Sequence, residues 1–241
     1  MDKGIGFSRT VTLDWLDAVA SMCVQNLDAH SIRQRMADVI ADQVTGSESQ
    51  RKTIDVLIAI WVKTQKNVPA IRAEALKMYP QLGTPTERAW LHYGMSLVCY
   101  PIFRKCVAAI GQTSRVQATI TRNVIKERIS ADFGHLGGLD RSIERIMASL
   151  VNWGALAGTD QNSNYKIVQR VFASSESVQA WLLTCTLFAH PSSGMPIGDL
   201  LHLPELYPFI FTINTNALYK DARFEIQRQG GGIDIIRIKT G

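Results

Sequence analysis

Arg141, Ser142, Arg145, Ser149 and Asn152 place guanidinium, hydroxyl and amide groups at helical spacing within a dozen residues. Groups of this kind contact phosphates and base edges, so the chemistry they imply is recognition of a nucleic acid and not bond-making. Opposite them, Ile143, Ile146, Met147, Leu150 and Trp153 repeat every three or four residues as a stripe that asks to be buried. Asp140 is a good N-cap for this helix, and Gly154 ends it. Beyond it, Ala155-Leu156-Ala157 and Tyr165-Lys166-Ile167-Val168 can pair around residues 158–164, a turn rich in Gly, Asp and Asn. Lys166 and Arg170 then sit where a sugar-phosphate backbone could be met, each neutralised phosphate adding a salt-dependent increment to affinity.

Other chemistries lack their residues. The histidines, His30, His92, His135, His190 and His202, form no His-x-x-His, His-x-x-x-His or paired His/Cys arrangement of the kind a metal needs. His135 follows Asp132 by three, and His202 is three from Asp199 and Glu205, but a Gly-rich turn and Pro204 keep these groups off one continuous helix. Cys23, Cys99, Cys106 and Cys185 are too far apart for a zinc site or a redox dithiol and read as reduced, buried thiols. Gly137-Gly138 and Gly230 to Gly232 lack the flanks of a phosphate loop or dinucleotide fingerprint and read as turns. Asp14, Asp17 and Glu74 read as carboxylates on solvated helix faces. The expectation is a protein with no catalytic site, no metal and no cofactor.

The recognition helix needs a frame to hold it. Residues 121–133 place Ile125, Ile129 and Phe133 four apart on one face, and residues 134–138 supply a Gly-rich turn, so the order through Val168 is helix, turn, helix, two-stranded ribbon. That is the order of a winged helix-turn-helix. Upstream, helical periodicity runs from Leu13 to about Leu27, from Ser31 to Val44 before Gly46, and from Ser49 to Val62. Thr84-Pro85-Thr86-Glu87 combines a cap, a proline at the first helical position and a returning glutamate, and this helix should run to about Tyr100. Arg51-Lys52 fits a solvated face of the same bundle.

The fold class read from these elements is mainly α: a helical bundle over residues 1–100, a winged helix-turn-helix over 101–172, and a C-terminal helix and β-hairpin unit over 173–241. In the last stretch Ser174 can cap a helix from Val178 to Ala189, Ile197 to Leu201 can form a short helix, and Phe224 to Ile238 reads as a hairpin about Gly230 to Gly232. Arg223, Arg228, Arg237 and Lys239 would decorate that hairpin, so a second winged-helix-like unit and a docking edge are both open.

The chain has 241 residues, with 26 Lys+Arg against 21 Asp+Glu. Residues 101–150 alone hold eight basic side chains against four acidic ones. The excess favours a polyanionic partner. No stretch of about 18 apolar residues could span a bilayer, and Met1-Asp2-Lys3-Gly4 has no signal layout, so the expectation is a cytoplasmic protein with no membrane partner. Double-stranded DNA and other protein subunits are the expected partners. A protein-interaction adaptor and a transcription regulator are the competing readings.

The layout of Arg9-Thr10-Val11-Thr12, a helical bundle, Arg51-Lys52-Thr53, and then Arg141 to Trp153 with its ribbon resembles the small helical accessory proteins of BREX-type phage-defence systems. The resemblance is one of overall plan. It implies DNA binding in bacterial antiviral defence and transfers no functional residue.

Overall fold

The computed structural model describes residues 6–133, 138–161, 163–169 and 175–239. Helix α1 (Leu13–Val24) starts where the Thr12 hydroxyl accepts from Trp15 N at 3.3 Å, and it buries Leu16, Val19, Ala20 and Cys23. Asp28 caps α2 (Ala29–Ile40), its carboxylate accepting from His30 N and Ser31 N at 2.8 Å each. Helix α3 (Ser47–Ile58) passes through a π-helical turn, Ala59–Lys63, into a short α4 (Thr64–Asn67). Pro69 then opens α5 (Pro69–Met78), which buries only Ile71 and Ala75 and so leaves little apolar periodicity to announce it. At the start of α6 (Pro85–Cys99) the expected capping box is formed: Glu87 N donates to the Thr84 hydroxyl at 3.2 Å and Thr84 N to the Glu87 carboxylate at 3.0 Å. Pro101 both ends this helix and starts α7 (Pro101–Ser114), which leaves at 117°.

From α7 the chain enters β1 (Thr119–Thr121), α8 (Arg122–Phe133), α9 (Leu139–Asn152), β2 (Leu156–Gly158) and β3 (Asn164–Ile167). The expected two-stranded ribbon is a three-stranded antiparallel sheet with β3 in the middle, Ile120 facing Tyr165 on one side and Leu156 facing Ile167 on the other. A three-residue strand such as β1 is too short to carry a period of its own.

A second circuit follows in the same order. It comprises α10 (Glu176–Ala189), β4 (Gly194–Pro196), α11 (Ile197–Leu201), a 3₁₀ turn at Pro204–Leu206, α12 (Thr215–Lys220), β5 (Phe224–Gln229) and β6 (Ile233–Ile238). Ser175 is its described cap, accepting from Val178 N at 3.4 Å, while the expected Ser174 cap lies outside the described residues. Here β6 is central, with Ile226 facing Ile236. The molecule is mainly helical with these two small antiparallel sheets, and no single described helix is long and apolar enough to cross a membrane.

One continuous apolar core runs from Phe7 and Leu16 in the bundle through Phe103 of α7 to Ile143 and Leu150 of α9. The second circuit keeps its own core around Leu183, Leu200, Leu218, Phe224 and Ile236. Helix α10 serves both, with Val178, Trp181 and Cys185 on the large core and Ala180, Leu183 and Leu187 on the small one. Gly94 lets α6 approach α10, since a Cβ there would lie 2.5 Å from the Trp181 ring. The second circuit is also fastened to α7 by a buried ion pair, Arg104 Nη1 to Glu205 Oε1 at 3.0 Å, and to α6 by Tyr93, whose hydroxyl donates to the Glu205 carbonyl at 2.9 Å.

Candidate nucleic-acid interface

Helix α9 carries most of the residues singled out for recognition, and its start differs from expectation. Gly138, at φ +95°, occupies the cap position, and Asp140 lies inside the first turn. Left-handed geometry suits glycine, and from within the helix the Asp140 carboxylate turns outward to Lys126 Nζ of α8 at 2.8 Å. The apolar stripe is as expected: Ile143, Ile146, Met147, Leu150 and Trp153 are all buried.

The polar stripe divides. Arg141 is exposed on the first turn and has no partner among the described residues. Ser142 is buried. Arg145 is half-buried, and its Nε is enclosed with no hydrogen-bond partner among the described residues. Ser149 is fully buried, accepting from Val11 N at 2.9 Å and donating to the Arg145 carbonyl at 2.9 Å. Asn152, although exposed, accepts from Leu13 N at 3.0 Å, and Trp153 Nε1 donates to the Val11 carbonyl at 3.0 Å.

The C-terminal half of α9 is therefore strapped down by residues 7–13. Phe7 anchors the strap, stacked on Phe103 and edge-on to Tyr100. Ser142 and Ser149, expected on a free face, are both buried, and Ser149 is covered by the N-terminal segment through its bond from Val11 N.

The exposed side of α9 mixes signs. Glu144 faces Arg122 of α8 at 3.7 Å, and Ala148 and Val151 continue the surface toward the C-terminus. Of the ribbon residues, Lys166 is exposed on β3, alternating with Tyr165 and Ile167 that pack on the core. The expected backbone contact at Arg170 lies outside the described residues, as does His135. Arg223, expected on the hairpin surface, instead turns inward, bonding Asp221 at 2.6 Å and Glu74 of α5 at 3.1 Å.

The strongest polar cluster is elsewhere, and the sequence reading missed it. Asp17, expected on a solvated face, is largely buried between α1 and α6, where Arg88 grips both carboxylate oxygens at 2.9 Å. Fully buried His92 meets the same carboxylate through Nε2 at 2.8 Å and accepts from Trp61 Nε1 at Nδ1, 3.2 Å. An acceptor at Nδ1 puts the ring proton on Nε2, so His92 is neutral and donates to Asp17. Burial lowers the His92 pKa, and the Asp17 carboxylate only partly offsets that. Burial opposes ionisation of Asp17 too, yet the bonds from His92 and Arg88 win and hold it at about 2. Tyr79 completes the set, donating to Asp17 at 3.2 Å, its own pKa pushed up by burial and then by the carboxylate. Every member is partnered within the cluster, which makes it a structural lock. The four-residue step from Arg88 to His92 was its only signal in the sequence.

All four cysteines are free, and no cluster of His, Cys, Asp and Glu suited to a metal ion occurs among the described residues. No protein-family model, curated protein or solved structure matches the chain.

Proposed function

We propose that this chain is a non-enzymatic, double-stranded-DNA-binding component of a bacterial defence assembly, and that residues 101–172 form a winged helix-turn-helix. The observation that carries the reading is the path α7, β1, α8, α9, β2, β3 with β3 between its partners, which is the connectivity expected of that module. In such modules the recognition helix contacts base edges with its N-terminal residues. Arg141 is on that turn and exposed, and Arg145 follows one turn later. Lys166 on β3 supplies a phosphate contact, which positions the duplex and reads no sequence. The strap over Ser149 and Asn152 confines the interface to the first turns of α9. Membership of a defence assembly rests on the resemblance of overall plan, with the bundle serving other protein subunits.

Fluorescence anisotropy against duplex DNA at several salt concentrations tests this. Arg141→Ala with Arg145→Ala should weaken binding at least tenfold. Lys166→Ala should lower the salt slope by about one. Binding indifferent to the Arg141/Arg145 pair would sink the assignment. Asp140, Glu144 and Val151 on the same exposed surface favour a second reading, a protein-interaction adaptor, which no duplex binding even at low salt would support.

A further inference from the structure

The second circuit, α10 to β6, leaves a different surface free. Its helix α12 is short and exposes Thr215, Asn216, Tyr219 and Lys220, while Leu218 is buried. Its hairpin is long, with six residues in each strand against three and four in the first sheet. Phe224 with Ile238 and Ile226 with Ile236 are facing pairs that reach the small core, and beyond them Gln227, Arg228 and Gln229 are exposed and lead into Gly230, Gly231 and Gly232.

We propose that the tip of this hairpin, led by Arg228, enters the minor groove of duplex DNA, with α12 toward the neighbouring major groove. The proposal rests on the reading that the chain binds duplex DNA. Three observations carry it. The tip is slender: three consecutive glycines add no side chain, and Gly231 and Gly232 hold φ of +83° and +78°, which other residues reach only with strain. A groove about 6 Å wide has no room for the two strands themselves, so a tip bare of side chains is what lets a single arginine reach into it. Arg and Gln are the side chains that read minor-groove edges, and an arginine is drawn further by the negative potential of a narrow groove. Arg228 is aimed at the tip, since its Nη2 lies 3.4 Å from where a Cβ on Gly232 would sit. It also shares a strand face with Phe224 and Ile226, the side that meets α12, so helix and hairpin address one duplex together. Around them exposed Lys220, Arg237 and Lys239 outweigh Glu225 and Asp234.

The test uses the intact chain with fluorescent duplexes, one A·T-rich and one G·C-rich, and netropsin as a minor-groove competitor. The expected result is tighter binding to the A·T-rich duplex, displacement by netropsin, and for Arg228→Ala about a tenfold loss on that duplex with an unchanged melting temperature. If Arg141→Ala with Arg145→Ala weakens binding while Arg228→Ala binds as the parent does, the hairpin proposal falls and the α9 interface stands. If Arg228→Ala alone weakens it, the hairpin stands and the α9 assignment falls. If the parent chain binds neither duplex at low salt, both fall, and the hairpin is a protein-docking edge.

Discussion

Two stretches of this chain trace the same path, yet α7 to β3 is sunk into the bundle whereas α10 to β6 keeps a core of its own. The first circuit gives up much of its long helix to the strap of residues 7–13 and retains a few exposed positions near the start of α9. The second has a helix too short to offer much and projects a hairpin instead. One connectivity thus yields two different exposed surfaces, because what a neighbouring segment covers decides what is left over.

The fastening between the circuits is the place to break the comparison hardest. Arg104→Met should cost about 4 kcal/mol in urea unfolding by stranding Glu205 as a buried, unpaired charge, and adding Glu205→Met should recover most of it. Hydrogen exchange should locate the loss in α11 to β6 more than in α9. Equal loosening of both circuits would show that the second core does not stand by itself.

Acid should act on the other side. The Asp17 pKa, about 2 in the fold against an ordinary 3.8, contributes on the order of 2 kcal/mol above about pH 4, lost as the pH falls toward 2. Because this cluster belongs to the bundle, which shares its core with the first circuit, tryptophan fluorescence should report loosening there across that window. In Asp17→Asn, already weaker at neutral pH, this part of the pH dependence should vanish; an unaltered acid limb would contradict the assignment. The smallest effect is expected from Ser149→Ala, which orphans Val11 N and should cost about 1 kcal/mol while leaving the second circuit's exchange protection unchanged.

The helices with strong local signals were legible in the sequence. The Thr84 cap and the stripe from Ile143 to Trp153 are decided within a few residues of themselves, and α11 spans the expected Ile197 to Leu201. What the sequence hid depends on distant partners. Ser149 reads as part of a solvated face because periodicity separates apolar from polar and cannot see a strap arriving from more than a hundred residues away. Asp17 looked like any surface carboxylate because Arg88 and His92 lie more than seventy residues downstream. Asp140 has the side chain of a cap but lies inside the first turn, and the cap position belongs to Gly138, whose left-handed backbone turns the chain into the helix without a side-chain bond.

The strap also bears on how finely α9 could tell one DNA sequence from another. A helix roofed over its rear half can present only its leading end, so it would touch one or two base pairs through Arg141 and Arg145. At about 1 to 3 kcal/mol per good base contact, two contacts give a preference of roughly thirtyfold to about ten-thousandfold, still below the million or more competing sites that a genome offers a lone reader. A protein built this way would gain its address from company: a second foothold on the same duplex, or partners that bring their own.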